Sequence, residues 1–371
     1  MALGGPCAAT AQLAGDSTWS LTGSYFNLYT RSRTVVPPVR RFTLDLSRAR
    51  LKLVGAPFKR IGIEVQYDNE VLVGDYVRTT QYALVKDRVE TTFDLQRDYA
   101  AGGDLVARHG LYRAVATWSG KSTDVKVGRQ RIALGTGFFW SPMDLLNPLD
   151  PTRLERDYRT GADAVLVEQR LGALGRVAGM YVPSSDRVNA VGAGYLHGNV
   201  RGADYSVIVG SFRGDDAVGA DFSSSVKGLG LRAEATATRP ATGNRYARAL
   251  VGADYGFASS TKLTAEVYYN GRGASAPSRY DLPALLAGRV LSLARWYGAV
   301  VAMYDVTPLM KLSAYGVVNA DDGSLVLWPR LEWSVKTDVD IAIGWQRFSG
   351  GARSEYGRLD NLLHMESRWF F

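Results

Sequence analysis

The chain has 371 residues, 46% of them hydrophobic, with a single Cys, and its 44 Lys and Arg outnumber 36 Asp and Glu for a formal charge of +8. One cysteine excludes a disulfide framework or a thiolate metal cluster within the chain, and no run approaches the roughly 20 consecutive apolar residues of a membrane helix. The basic residues are spread singly and interleaved with acids, so the stripe that nucleic acid binding needs is missing.

The first 16 residues read as an N-terminal tail. Ala9-Thr10-Ala11 before Gln12 fits a small-residue cleavage pattern, without the charged start and apolar run of a complete export signal. Residues 1–16 are therefore expected to be a signal-peptide remnant and 17–371 the folded domain. Pro6 directly before Cys7, and the missing apolar run, argue against a lipid anchor.

From residue 18 onward apolar and polar residues alternate with period 2, as in strands with one apolar and one polar face. Ile61, Ile63, Val65 and Tyr67 alternate with Gly62, Glu64, Gln66 and Asp68. The same holds for Leu231 to Thr238, Lys262 to Tyr269 and Val339 to Gln346. Similar runs cover 18–29, 40–53, 110–119, 124–134, 162–171, 175–183, 189–198, 203–212, 217–226, 246–256, 293–305, 310–318 and 325–336. Within 40–53 the apolar set moves from Phe42, Leu44 and Leu46 to Ala49, Leu51 and Leu53, which predicts a bulge near Ser47 and Arg48. The last run sets Leu363, Met365, Trp369 and Phe371 on one face and His364, Glu366 and Arg368 on the other, and ends on an aromatic residue.

The total is about 18 strands, with 16 as the alternative, and bacterial single-chain barrels have even numbers. Connections at one end are short, such as Ser119-Gly120-Lys121-Ser122, Lys227-Gly228, Thr307-Pro308 and, as read from the sequence, Gly55-Ala56-Pro57-Phe58. The long ones, near 74–108, 135–160, 271–292 and 349–358, all fall at the other end. The pattern predicts an all-β fold, a single transmembrane antiparallel up-and-down β-barrel with short periplasmic turns and long extracellular loops. Trp118, Tyr255, Tyr269, Trp296, Tyr304, Trp333, Trp345, Trp369 and Phe371 share the apolar face and are expected at the membrane interface. Outer-membrane lipid of a Gram-negative bacterium is then the surrounding partner.

The polar face carries charge of both signs, including Arg48, Arg50, Arg113, Glu168, Arg170, Arg232, Glu234, Arg248, Glu266, Arg330, Glu332, Glu366 and Arg368. In a barrel this face lines the lumen. Residues 126–163 stand apart. Pro142, Pro148 and Pro151 stiffen the segment, and Asp144, Asn147 and Asp150 can close turns on their own backbone. Arg153, Glu155, Arg156 and Arg159 follow the prolines, and Arg129 and Arg131 stand on the strand before them. Two readings stand side by side: a constriction whose guanidinium groups favour anions, and an ion-pair network that pins the loop to the wall.

Gly128-Arg129-Gln130-Arg131, then Gly135, Gly137, Phe139-Trp140, Pro142, Asp144, Asn147-Pro148, Asp150-Pro151, Gly161 and Asp163 form one motif set, preceded by Asp68-Asn69-Glu70 and Gly74-Asp75-Tyr76. This set resembles a segment of porin-like outer-membrane barrels of Gram-negative bacteria, over roughly residues 40–185. The resemblance implies a β-barrel channel, and the mixed-charge lumen with its stiff, Arg-rich loop points to small hydrophilic solutes, anions among them, as what it passes. As an alternative the resemblance implies a sheath around a multihaem cytochrome in an electron conduit. An outer-membrane barrel enzyme or adhesin is a further alternative, weighed against the site residues below.

Asp281 stands at an N-cap position, and Leu282, Leu285, Leu286, Arg289 and Leu293 follow at helical spacing. A short helix is expected there, packed on the barrel rim or lying on the outer leaflet or a neighbour. The histidines are His109, His197 and His364, and neither Gly-x-Ser-x-Gly nor His-Glu-x-x-His occurs. No enzymatic activity, cofactor or metal is expected.

Overall fold

A strand whose every second residue is apolar must cover that face, and its backbone N–H and C=O groups must find partners on both edges. A computed structural model, which describes residues 11–12, 19–86, 91–148, 150–156, 158–159, 161–286 and 290–371, meets both demands by closing one sheet into a ring. The expected tail 1–10 and 13–16, with Cys7, lies outside the described residues, as do Leu149, Asp157 and Arg289.

The wall strands are β1 (Trp19–Arg33), β2 (Arg41–Phe58), β3 (Ile61–Val73), β4 (Leu105–Ser119), β5 (Thr123–Gln130) and β6 (Ala162–Leu171). Next come β7 (Gly175–Val182), β8 (Val191–Val200), β9 (Ala203–Phe212), β10 (Asp215–Val226), β11 (Leu229–Arg239) and β12 (Tyr246–Gly256). The last are β13 (Thr261–Asn270), β14 (Trp296–Thr307), β15 (Met310–Asn319), β16 (Leu325–Lys336), β17 (Val339–Ser349) and β18 (Leu362–Phe370). Each pairs antiparallel with the next, and β18 returns to β1 from Ser24↔Phe370 to Arg31↔Leu363. The sheet holds 20 strands, of which two short ones stand outside the ring of 18. Ala11–Gln12 pairs beside Leu21 and Ser20, and Gln96–Gly102 forms a hairpin with the upper part of β4.

The long connections all fall at one end, as expected, although the two-residue turn Arg213-Gly214 lies there too. At the turn end the connections are 59–60, 120–122, 172–174, 201–202, 227–228, 257–260, 308–309 and 337–338. Arg201-Gly202 and Lys227-Gly228 have positive φ at both positions, which is the two-residue turn that matches strand twist. At the loop end the connections include 74–104, 131–161, 271–295 and 350–361. No helix among the described residues is long and apolar enough to cross a membrane. Among the described residues the α-helices are Thr80–Val85 (α1), which the alternation did not announce, and Leu282–Leu286 (α2). Asp281 caps α2 by accepting the N–H of Ala284, and Leu282 and Leu285 pack inward with Leu293 on the rim.

The two faces separate cleanly. On β13, Val267 is 48% exposed and Glu266 on the opposite face is 2% exposed. Trp118, Trp296, Tyr304, Trp333, Trp345, Trp369 and Phe371 are all exposed on the outward face, and Tyr269 packs tilted against Trp296. Trp296 and Tyr304 bracket β14. At ~3.4 Å per residue and a tilt of ~40° they lie about 21 Å apart along the barrel axis, close to the ~25 Å apolar band of outer-membrane barrels.

Three expectations are corrected. Gly55 to Phe58 belong to β2, and the turn is Lys59-Arg60, with the ladder irregular between Gly55 and Phe58. No bulge occurs at Ser47 and Arg48: the register with β1 is continuous from Arg41 to Gly55. Instead, Phe42 faces inward along with Arg48 and is buried, and Leu44 and Leu46 pack under α1 with Leu72, Tyr82 and Val106. On the outward face of the same stretch, Asp45 and Ser47 bond Asn27. The strand rises above the apolar band there, so its polarity inverts without a register change. Third, the run 124–134 stops as a strand at Gln130, where the long loop begins.

An Arg in place of outward Val251, which is 58% exposed at mid-strand in β12, should cost about 2–4 kcal/mol in a bilayer. An Arg in place of Ser223 on the lumenal face of β10 should cost less than about 1 kcal/mol. Urea unfolding of the barrel in lipid vesicles measures both.

Candidate functional site

The loop 131–161 leaves the top of β5 and enters the lumen. Its backbone N–H groups would be unsatisfied there, and two wall carboxylates receive them. Glu234 on β11 accepts from the N–H groups of Thr136, Gly137 (2.5 Å) and Met143 (3.1 Å) and from Ser141 Oγ (2.9 Å). Glu266 on β13 accepts from the N–H groups of Phe138 (2.6 Å) and Phe139 (2.8 Å). Charge-assisted bonds of this kind are about twice as strong as neutral ones.

Apolar contacts complete the seating. Leu134, Met143 and Leu146 pack against Leu166, Met180, Ile208 and Phe212 on the inner wall. Gly219 makes room for Met143: a Cβ there would lie 2.5 Å from its sulfur. Trp140 stacks on Tyr268 at 5.2 Å with planes 16° apart. The barrel's buried core is therefore inside the cylinder, between loop and wall.

The second half of the loop crosses the lumen. Gln346 on β17 donates to the carbonyl of Thr152 at 2.8 Å. Glu155 accepts from Arg48 on β2 at 2.6 Å, while its neighbour Arg156 donates to the carbonyl of Phe138, on the side of β13. Successive residues thus reach opposite walls, and the loop bridges the lumen. Beyond it, Tyr158 stacks on Tyr112 of β4 at 4.8 Å. Arg48 lies 4.0 Å over Tyr158, and Arg50 and Arg113 lie 3.6 and 4.0 Å over Tyr112. Stacked rings and guanidinium planes make this strip stiff.

The remaining candidates divide by environment. Arg129 is buried, paired with Asp163 at 2.8 Å and bonded to the carbonyls of Leu111 and Phe93, so it holds the wall top and not open solvent. Arg113 is buried and donates to the carbonyl of Arg159 at 2.6 Å. Asp144 is buried, accepts from the N–H of Asn147 at 2.9 Å and meets Arg159 at 3.2 Å. Burial pushes its carboxyl up to about 7. Asp150 closes a turn on Thr152. Arg131 and Arg153 are exposed. Arg232 pairs with Asp254 and Glu266, and Arg248 lies over Tyr246 at 5.1 Å. Arg330 pairs with Glu332 and, at 2.9 Å, with Glu366, which Arg368 also meets at 3.3 Å. One carboxylate is thus shared by two guanidinium groups.

Two hollows border the bridge. One, about 250 Å³, is lined by Ser24, Phe26, Arg48, Arg50, Tyr158 and Arg368. The other, about 470 Å³, is lined by Asp204, Ser223, Ser225, Arg232 and Asp254. The lumen is therefore basic on the side of β1, β2 and β18 and more acidic on the side of β9 to β12. Asp68 and Glu70, which pair with Arg50 and Arg48 at 2.6 and 2.5 Å, were not among the candidates, though both lie on the inward parity of β3. Tyr112 and Tyr158 carried no sequence signal, because only the loop's path brings them together. His364 is fully buried, accepts from Trp328 Nε1 at 2.9 Å and lies 3.2 Å from Glu366, with no open face toward a substrate. Among the described residues no group of His, Cys, Asp and Glu could hold a metal ion.

No family model matches this sequence, and no curated protein matches it. Solved structures do resemble it. The crystal structure of OccD3 (OpdP) from Pseudomonas aeruginosa is 11% identical with a TM-score of 0.59, covering 99% of this chain and 94% of its own. The outer membrane protein opdK from Pseudomonas aeruginosa is 9% identical with a TM-score of 0.55, over 95% and 98%. A mutant of the Rh. blastica porin is 14% identical with a TM-score of 0.51, over 95% and 100%. At such identities the likeness is one of fold: a closed antiparallel β-barrel spanning nearly the whole of each chain.

Replacing Glu234 by Gln puts an amide NH2 in place of one acceptor oxygen, so it faces either the N–H groups of Thr136 and Gly137 or the N–H of Met143 and the hydroxyl of Ser141. The variant should lose about 1–3 kcal/mol of loop anchoring while the barrel stays closed. Faster amide exchange at 136–143, with unchanged exchange in the wall strands, is the expected readout.

Proposed function

We propose that this barrel is an outer-membrane channel for small hydrophilic solutes and that it favours anions. One observation carries the reading: the chain's own loop 131–161 bridges the lumen and sets Arg48, Arg50, Arg113, Arg156 and Arg159 around its crossing. A cylinder of 16–18 strands is too wide for wall side chains to fill, and an inward loop narrows it to a selective passage. The likeness in fold to an outer membrane protein and a porin supports the same reading. In this reading the turn end faces the periplasm and the loop end the outside.

Guanidinium groups at a narrow, partly dry crossing attract anions and repel cations. Several are partly neutralised by Glu70, Asp68 and Glu155. The surplus lies at exposed Arg153 and at Arg368, which shares Glu366 with Arg330. The alternative, a sheath around a cytochrome, needs a lumen free for a second protein. Here the chain's own loop crosses that space, which favours the channel.

Single-channel recording in a salt gradient tests the reading. The purified barrel should give stable current steps with a reversal potential on the anion side. Replacing Arg153 and Arg368 together by Ala should lower the anion preference at least about twofold. A folded barrel that carries no current, or one that prefers cations, overturns it.

A further inference from the structure

Arg31, Arg33, Arg41 and Arg347 stand on the outside of the wall at the loop end and take no part in the lumen. Trp345 on β17, Leu363 on β18 and Arg31 on β1 form one row across three neighbouring strands. All three are exposed on the outward face. One outward position nearer the loop end, Arg347 follows Trp345 on β17 and Arg33 follows Arg31 on β1. Arg33 lies directly opposite Arg41 of β2. Arg347, Arg33 and Arg41 are exposed as well. With strands ~4.8 Å apart and alternate residues ~6.8 Å apart along a strand, the backbone of Arg31 lies about 8 Å from that of Arg41 and about 12 Å from that of Arg347.

The acids nearby are already engaged. Asp360 pairs with Arg33 at 3.6 Å. Asp45, outward on β2, accepts from Asn27 at 2.5 Å, and Asp75 accepts from the N–H of Thr43 at 2.7 Å. Among the described residues Arg31, Arg41 and Arg347 make no ion pair and no side-chain hydrogen bond. Like charges directly opposite on a ladder, as Arg33 and Arg41 are, weaken the pairing. On β11 the wall avoids this: outward Arg239 stands opposite Asp216 of β10 and pairs with it.

The surface beneath these arginines decides what they meet. Ile343, Trp345, Leu363 and Met365 continue the same outward face toward the turn end, each between 39% and 47% exposed. That face meets lipid, and the arginines stand at its upper border. An anion that reaches them from the membrane is part of a lipid headgroup. Forked guanidinium donors match phosphate, and basic residues clustered beside a membrane-spanning element are a recognised means of holding anionic headgroups.

We propose that Arg31, Arg41 and Arg347, with Arg33 beside them, form a docking site on the outer wall for the phosphate groups of an outer-leaflet lipid headgroup, whose acyl chains lie along Trp345, Leu363 and Met365. This rests on the proposed orientation, with the loop end outside. The headgroup supplies the negative charge that the facing arginines lack. It also spans the seam where β18 closes on β1.

The test is lipid binding to the purified barrel in neutral detergent, read by native mass spectrometry. The probes are a lipid A carrying two phosphate monoesters and the same lipid with its phosphates removed. Wild type should bind the phosphorylated lipid at least about tenfold more tightly. The triple variant Arg31→Gln, Arg41→Gln and Arg347→Gln should lose that preference. A second triple variant, Arg213→Gln, Arg245→Gln and Arg272→Gln, removes the same charge from exposed loop-end arginines away from the seam and should keep it. Equal affinity of wild type for the two lipids overturns the proposal. So does a seam variant that still discriminates, or a distant variant that loses discrimination as fully. Free inorganic phosphate in large excess should leave the lipid bound, and displacement, which would make a free ion the occupant, also overturns it. The readout needs no current. A barrel that binds the lipid and fails to conduct sinks the channel alone, and one that conducts without telling the lipids apart sinks this site alone.

Discussion

The pairing of β18 with β1 is the constraint on which everything else rests. A sheet in contact with lipid cannot leave strand edges open, because each unpaired N–H or C=O costs several kcal/mol in a medium without water. Once the ring is closed, every strand has one face outside and one inside. Period-2 alternation then produces an apolar exterior and a polar interior with no further information. Aromatic residues near the strand ends, such as Trp296 and Tyr304 on β14, stand where amphipathic rings are most stable.

Closure creates a second problem, which the long loop answers. A ring of 18 strands encloses more space than its own side chains occupy. The chain sends residues 131–161 inward, where backbone N–H groups need acceptors. Glu234 and Glu266 provide them, and burial of Phe139, Trp140 and Met143 against the wall adds the hydrophobic part. Two carboxylates of the wall are thereby bound to the loop's N–H groups, while the arginines around Tyr112 and Tyr158 stay arranged about the crossing. Fixing the loop and setting the arginines about its crossing are two results of one arrangement, so the ion-pair network is compatible with the constriction proposed above.

Much of the fold was legible because the two faces of a membrane strand meet opposite solvents along most of its length. The runs 162–171, 203–212, 246–256 and 325–336 coincide with strands for that reason. Legibility failed where the solvent changes. The upper part of β2 stands above the apolar band, so Phe42, Leu44 and Leu46 turn inward under α1, and the inversion reads in sequence as a bulge. The outer hairpin strand Gln96–Gly102 is exposed on both faces and shows no clear alternation. Of the site, the stiff loop and its arginines were visible from Pro142, Pro148 and the charge run. Its path was not, because the donors at 136–143 meet acceptors about a hundred residues away, and Arg129 looked like a lumenal charge until Asp163 was placed beside it.

The most direct test of the two-sided cylinder is tryptophan fluorescence in bilayers whose acyl chains carry bromine at known depth. Single-tryptophan proteins keeping Trp296 or Trp369, both exposed on the outer face, should be strongly quenched, with Trp140 and Trp328, both buried inside the ring, nearly untouched. Equal quenching of all four, or quenching of the inner pair alone, would contradict a barrel that meets lipid on the outside and encloses its loop within.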